Sequence, residues 1–404
     1  MSTTVDSGDE VRVIDVGVPP ARFARGWHCL GLVRDFNDGL PHQVSAFGTE
    51  LVVFAGEDGK INVLNAFCPH MGGNLAHGTV KGNAIACPFH DWRWRGDGKC
   101  AAIPYARRVP PLARTRAWQT MEASGQLFVW NDPQKSTPPA GLGIPEIPTF
   151  GDAGWTDWVW NSITVEDSHC REIVDNIVDM AHFFYVHYGM PTYFRNVFEG
   201  HTATQVMRSR PRADAVGVSL GEATNYSVES NSDATYFGPS YMIDKLWSGG
   251  RSTDEGPNIY LINCHYPITS TSFRLMYGVI VEKPAGMDDE AANQVAAAIA
   301  KGVALGFEQD VEIWKSKSRI DNPLLSEEDG PVYQLRRWYE QFYVDAEDVA
   351  PEMVNRFEFE IDTERALQNW QAEVDANLAA GRTAFDSPGT TRDAAQSVSV
   401  GGNS

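Results

Sequence analysis

Basic residues are scarce in this chain. Of 404 residues, 33 are Lys or Arg against 53 Asp or Glu, a formal charge of −20. That excess argues against nucleic acid as a partner and favours solubility. Long apolar runs are missing too: none approaches the ~18 residues of a membrane-spanning helix. Residues 1–10 are polar and acidic with no apolar core, unlike a signal peptide, so a cytoplasmic location is expected. Cysteine is limited to Cys29, Cys68, Cys87, Cys100, Cys170 and Cys264, too scattered for a disulfide framework. What remains is an ordinary globular composition, long enough for one to three domains.

Two of the six cysteines have a histidine close behind. Cys68-Pro69-His70 is followed, after sixteen residues, by Cys87-Pro88-Phe89-His90. Two such pairs on two loops can meet at one cluster. Two thiolates and two imidazoles match a Rieske [2Fe–2S] centre, where two His replace two Cys on one iron. Cys68 and Cys87 would hold one iron, His70 and His90 the other. Gly72, Gly73, Gly78 and Gly82 permit tight turns around it. The competing reading is a Cys2His2 zinc site, for which Cys-x-His is an unusual knuckle. His77 is off the pattern and reads as a surface loop residue, Cys100 as packing. The segment that follows is locally basic: Arg93, Arg95, Lys99, Arg107, Arg108, Arg114 and Arg116. It suits either steering of a docking partner or internal ion pairing.

A second constellation is Asn176-Ile177-Val178-Asp179-Met180-Ala181-His182-Phe183-Phe184-Tyr185-Val186-His187. An amide, a carboxylate and two imidazoles stand in an otherwise mostly apolar run. Two His and one carboxylate suit an open Fe(II) site. Asp179 and His182, three apart, can share a helix face. His187 is five beyond His182, about 500° of rotation, so it falls about 140° away on a straight helix. If both histidines bind one metal, a helix expected from about 167 to 186 must distort or end between them, with Gly189 and Pro191 as stop signals. The alternative is a buried amphipathic helix with hydrogen-bonded histidines. Far downstream, Phe307, Asp310 and Trp314 share a face of a helix expected over 288–314. An inward aspartate between large aromatics is costly unless paired or metal-bound, which makes Asp310 the candidate third ligand.

The periodicity predicts α+β: an all-β cluster domain joined to a catalytic domain of antiparallel sheet covered by helices. Residues 51–55 and 61–64 read as strand, turn, strand, and 84–86 and 127–130 as further strands. The expected divisions are a disordered lead over 1–16, the cluster domain with its linker over 17–150, the catalytic domain over 151–381 and a flexible tail over 382–404. The Pro-, Gly- and Ser/Thr-rich stretch 134–151 reads as a linker or crossing strap. Strand-like alternation runs from 194 to 281 and includes 216–220, 260–263 and 273–281. A strand over 356–361 and a last helix follow.

With both motifs in this order, the chain resembles a Rieske non-haem iron oxygenase alpha subunit over roughly residues 17–375. Residues 175–187, 191–194, 196–201 and 309–314 look most like the branch of 3-ketosteroid 9α-hydroxylase oxygenase components. The resemblance implies a Rieske cluster, a mononuclear Fe(II) on His182, His187 and Asp310, and O2 as co-substrate. Electrons would come from NADH through a flavin and iron–sulfur reductase, and one oxygen atom would enter an unactivated C–H bond. The implied substrate is a 3-ketosteroid, free or as a CoA thioester, hydroxylated at C9α in steroid degradation. A head-to-tail homotrimer is implied, with Asp179 bridging a Rieske histidine across the interface to an iron-bound histidine and Asn176 beside it. The implied substrate contacts are Ile177, Gln205, Met242, Asn263, Phe307 and Trp314. Three other readings make different predictions. A demethylase or aromatic ring dioxygenase would differ over 205–263, a Rieske electron carrier would have no use for the second site, and a zinc-stabilised binding protein would be colourless.

Overall fold

The computed structural model describes residues 11–215 and 229–386; the strand expected over 216–220 lies outside them. The amino-terminal part holds three small antiparallel sheets. Gly26–Leu32, Gln126–Asn131 and Thr120–Ala123 form the first. His42–Ala46, Thr49–Ala55, Ile61–Asn65 and Ala117–Trp118 form the second. Thr79–Lys81, Ala84–Ala86, Arg93–Arg95 and Cys100–Ala102 form the third, which carries the Cys/His loops. The strand–turn–strand expected after residue 50 is the hairpin Thr49–Ala55/Ile61–Asn65. His77 ends a short 3-10 turn, Leu75–His77, rather than lying in an irregular loop.

The second part is built on one eight-stranded antiparallel sheet. Its strands are β1 (Val159–Glu166), β2 (Gly189–Glu199), β3 (Thr202–Pro211), β4 (Ser230–Phe237), β5 (Tyr241–Trp247), β6 (Ile259–Pro267), β7 (Ser272–Val281) and β8 (Phe357–Glu360). Their spatial order is β1-β7-β6-β5-β4-β3-β2-β8. The rear face and much of the front are covered, so side chains of alternate residues enter two different cores. Tyr241, Ile243, Ile262, Cys264, Met276 and Ile280 point rearward and pack with Cys29, Leu127 and Phe128 of the first small sheet. Tyr236, Ile259, Phe273, Leu275 and Tyr277 point forward, into a core shared with helices.

The helices are α1 (Arg171–Asp175), α2 (Ala181–Tyr185), α3 (Asp289–Ser316), α4 (Val332–Glu340), the single turn α5 (Pro351–Val354) and α6 (Glu364–Ala379). Asp288 caps α3 by accepting from the Ala291 N–H at 2.8 Å, a bond worth about 1 kcal/mol in such caps. Ala292, Ala296, Ile299, Ala300 and Val303 recur every three or four residues and are buried, which seats α3 on β1 and β7.

Three expectations change at their edges. The single helix over 167–186 is broken into α1, a 3-10 turn (Asn176–Val178) and α2. Asp179 leaves helical geometry, with φ −91° and ψ 99°, because its carbonyl is engaged by the His182 ring at 2.5 Å. The amino-terminal lead already touches the body, since Val16 bridges to Ile320 and the Gly17 N–H donates to the Arg319 carbonyl. Residues 382–386 are docked: the Ala384 N–H donates to the Asp214 carbonyl at 3.0 Å, and Phe385 packs 4.7 Å from Tyr188. The 134–151 stretch is a strap, with Ile144 and Ile147 in the rear core and Glu146 accepting from the Ser124 N–H and hydroxyl.

Candidate active site

His182, His187 and Asp310 converge. One donor atom from each lies within 4.8 Å of the others, a spacing compatible with one metal ion. His182 stands on α2. His187 lies past its end, where the Val186 and His187 N–H groups both turn back to the His182 carbonyl. Tyr188 then takes a left-handed φ of 57°, and β2 begins at Gly189. The chain thus ends its helix between the two histidines, which swings their rings to 5.0 Å between centroids. Asp310 arrives from α3 and is 6% exposed.

The hydrogen bonds around these groups select which atoms face inward. A carbonyl only accepts, so the His182 Nδ1–H must donate to Asp179, which leaves Nε2 with its lone pair. His187 Nδ1 lies 3.4 Å from Gln309 Oε1, which fixes the same tautomer, and its Nε2 lies 3.3 Å from Asp310 Oδ1. Asn176 Nδ2 donates to Asp310 Oδ2 at 3.1 Å. Each of the three therefore turns one free donor atom inward and has its other polar atom held, as metal ligands require. No role for Gln309 follows from the sequence; it adjoins Asp310, but only the fold brings its amide to His187. Asp179 holds α2 as well, its Oδ1 accepting from the His182 N–H at 3.2 Å, while its side chain is 51% exposed. Burial opposes charge on His182, yet the bond and charge of Asp179 and the charge of Asp310 hold its pKa above the usual range.

The turn is braced from behind. Arg212 Nη1 donates to the Phe184 carbonyl at 3.1 Å, at the end of α2, and its guanidinium lies 3.8 Å over the Phe184 ring. Its Nε and Nη2 grip Asp214 at 3.0 and 2.9 Å, and Asn377 of α6 donates to the same carboxylate. Trp370 of α6 stacks on Phe184. On the other side, a Cβ on Gly330 would lie 1.8 Å from the Val178 carbonyl, so only glycine allows that approach.

At the second constellation Cys68 and Cys87 are buried and free, and the His70 and His90 rings lie 4.7 Å apart. Burial, with the neighbouring Cys87 adding to it, pushes the Cys68 thiol up. His90 Nδ1 is buried without a partner, an orphan that metal ligation would satisfy. A Cβ on Gly73 would come 2.7 Å from Cys87 Sγ, so this glycine keeps the cradle open. Among the described residues only the His182 group draws three donors within 4.8 Å. The four Cys/His donors are thus more widely spread than one tetrahedral zinc, with bonds of about 2.0–2.3 Å, would hold them. They fit a two-iron cluster. Trp92 stacks on His70 at 4.5 Å, and Phe67, Met71, Phe89 and Tyr105 are exposed nearby in sequence. Of the basic segment, Arg93, Arg95 and Lys99 pair with Asp91 and Asp97, and Arg116 lies over Trp118. Arg107, Arg108 and Arg114 are exposed.

The implied substrate contacts divide into two groups. Gln205, Met242 and Asn263 lie on the forward face of the sheet, on β3, β5 and β6. Phe307 packs on Tyr277 at 4.9 Å and Trp314 near Phe273 at 6.5 Å, inside the forward core. Ile177 is buried there, its carbonyl accepting from Asn196 Nδ2 at 2.8 Å.

Fold and site together define a two-domain Rieske non-haem iron oxygenase. A profile for the Rieske [2Fe-2S] domain matches residues 26–113, and one for the 3-ketosteroid 9alpha-hydroxylase C-terminal domain matches 129–343. A probable 3-ketosteroid-9-alpha-monooxygenase oxygenase component of Rhodococcus rhodochrous is 78% identical over 96% of this chain and 97% of its own length. The 3-ketosteroid-9-alpha-monooxygenase oxygenase component of Mycobacterium tuberculosis is 56% identical over 96% of this chain and 99% of its own. Dicamba monooxygenase bound to 3,6-dichlorosalicylic acid shares the fold, with TM-score 0.64, 20% identity and coverage of 80% of this chain and 98% of that one. The chain belongs to the family of 3-ketosteroid 9α-hydroxylase oxygenase components.

Proposed function

We propose that this protein is the terminal oxygenase that hydroxylates a 3-ketosteroid at C9α in steroid degradation, using O2 and electrons from NADH relayed by a flavin and iron–sulfur reductase. The relatives' names supply the substrate class. The observation that carries the chemistry is the meeting of His182, His187 and Asp310 with one free donor atom each.

In this reading those three residues hold the mononuclear iron, and Cys68, Cys87, His70 and His90 hold the [2Fe–2S] cluster. Loaded, the two centres supply stored electrons and O2 activation, which no side chain provides. The protein's own residues do the positioning. Asn176 and Gln309 keep Asp310 and His187 aimed, and Asp179 fixes the His182 tautomer. The exposed carboxylate of Asp179 is the proposed bridge to a Rieske histidine of a neighbouring subunit in a homotrimer. The exposed apolar residues Phe67, Met71 and Phe89 beside the Cys/His loops and Tyr185 on α2 support such an interface. Exposed Arg107, Arg108 and Arg114 support docking of an acidic reductase face. A rigid apolar steroid suits the largely apolar forward face, where Gln205, Met242, Asn263 and Phe307 are proposed contacts, with Ile177 and Trp314 backing them.

The test is NADH-dependent O2 uptake with a steroid-hydroxylase reductase across 3-ketosteroids, free and as CoA thioesters, with mass analysis of products. Uptake coupled to a product one oxygen heavier, modified at C9, is expected. No coupled uptake from protein with about three irons per chain that accepts electrons would remove the steroid assignment. A demethylated or dihydroxylated product from another substrate would replace it.

A further inference from the structure

Among the described residues, the helices pack on only part of the forward face. α3 packs on β1 and β7, while α2 and α6 pack on β2 and the Asn176–Val178 turn on β3. Between them, on β5 and β6, Met242, Leu246 and Leu261 remain partly exposed although they point into the helix side. This is a trough with an apolar floor, and it contains one acid. Asp244 stands between Met242 and Leu246, opposite Ala234 on β4 and Leu261 on β6. Its side chain is buried, with 8% of the residue exposed.

Among the described residues one group holds the Asp244 carboxylate. Ser232 donates its hydroxyl to Oδ1 at 2.8 Å, and among the described residues no cation pairs with the acid. The flanking strands offer it Ser232, Ala234, Leu261 and Asn263, none of which titrates. An unpaired carboxylate in such surroundings takes up a proton. Burial pushes Asp244 up to about 7, against the Ser232 bond and helped by the charge of Asp233. The neutral acid has one O–H to donate and needs an acceptor. Diagonally across, Asn263 has its Oδ1 buried without a partner. Among the described residues Asp244 thus has Ser232 as its one hydrogen-bond partner and Asn263 Oδ1 has none, as in a site that reads one oxygen on an apolar body.

We infer that Asp244 is a specificity residue that donates a hydrogen bond to a carbonyl oxygen of the substrate and so sets how the rigid ring system lies along the trough. A neutral acid suits this role because it recognises a ketone without placing a charge against hydrocarbon. The inference rests on the ketosteroid reading above and deepens it by naming the donor.

The test uses the full-length, metal-loaded protein and two measurements. The first is equilibrium binding, by tryptophan fluorescence, of a 3-ketosteroid carrying a second ketone at C17 and of its 3-deoxy and 17-deoxy counterparts. The wild type should bind the diketone about tenfold or more tightly than one of the deoxy analogues. Asp244→Leu should lose that difference. Asp244→Asn, whose amide can still donate, should keep most of it. The second is the infrared carboxylic-acid carbonyl band: present in the wild type, shifted by the ketosteroid, and missing from Asp244→Asn. Equal discrimination by the wild type and Asp244→Leu, or no such band, would overturn the assignment of Asp244 while leaving the steroid reading intact. Failure of the wild type to bind any steroid would remove both.

Discussion

Replacing Arg212 by methionine should loosen the turn that carries the proposed metal ligands His182 and His187, from a residue that touches neither. The guanidinium, 3% exposed, makes two bonds to Asp214, one to the Phe184 carbonyl, one to Glu373 at 3.3 Å and a face contact with the Phe184 ring. Methionine fills much of the volume but leaves the fully buried Asp214 carboxylate with Asn377 as its one remaining side-chain donor. Removing one partner of a buried ion pair costs about 3–5 kcal/mol. For a domain of this size that is a melting shift of roughly 6–20 °C. The pH dependence should move too. Burial works against the Asp214 charge, but Arg212 and Asn377 outweigh it and hold its pKa below the usual range. Its stabilisation is therefore present above the unfolded-state pKa and is lost only as pH falls through the lower folded value. Without Arg212 that loss should begin at higher pH. Calorimetry across pH, with iron counted per chain, checks both effects. Arg212→Met should lose mononuclear iron and keep the visible spectrum of the cluster, and Asp214→Asn in the same chain should recover part of the stability. Unchanged melting and full iron in Arg212→Met would refute the reasoning.

Asn176→Ala frees Asp310 Oδ2 and should weaken mononuclear iron binding about 10–100-fold, seen as iron falling toward two per chain. Asp179→Ala should keep both metal centres but lose coupled turnover in the NADH-dependent O2-uptake assay; normal turnover would sink its bridging role. Acid should also destabilise the protein through buried histidines. Burial lowers His28 to about 4 and His169 to about 3, the latter with help from Arg171 and Arg319. Both are neutral in the fold, so the unfolded chain binds more protons below about 6.5. Stability should fall steadily from pH 7 toward pH 4, and His169→Gln should flatten that slope in thermal melts.

The Cys/His pairs and the two histidines could be picked out because they stand close in the chain, and Asp310, far downstream, because an acid between large aromatics on one helix face calls for a partner; the structure brings it to His182 and His187. The break between His182 and His187 followed from helical rotation once both were read as ligands of one metal. The earlier break at Asp179 did not, since residues 171–187 carry no Gly or Pro and the cause is a side chain taking a backbone carbonyl. Gln309, Arg212 and Gly330 were hidden for another reason. Their partners His187, Phe184 and Val178 are brought to them only by the fold. Asp244 was hidden by the sheet. In a strand pattern, a lone acid reads as solvent-facing until both faces are known to be covered.

That double covering gives the central strands a simple grammar. On β4 and β5 the even-numbered residues, and on β6 and β7 the odd-numbered ones, look toward the helices, and their neighbours look toward the small sheet behind. A search for altered substrate preference can therefore step along each strand by twos and never disturb the seat of the electron-donating domain. A single inserted residue would exchange the two vocabularies at once, so these strands can drift in spelling but not in length.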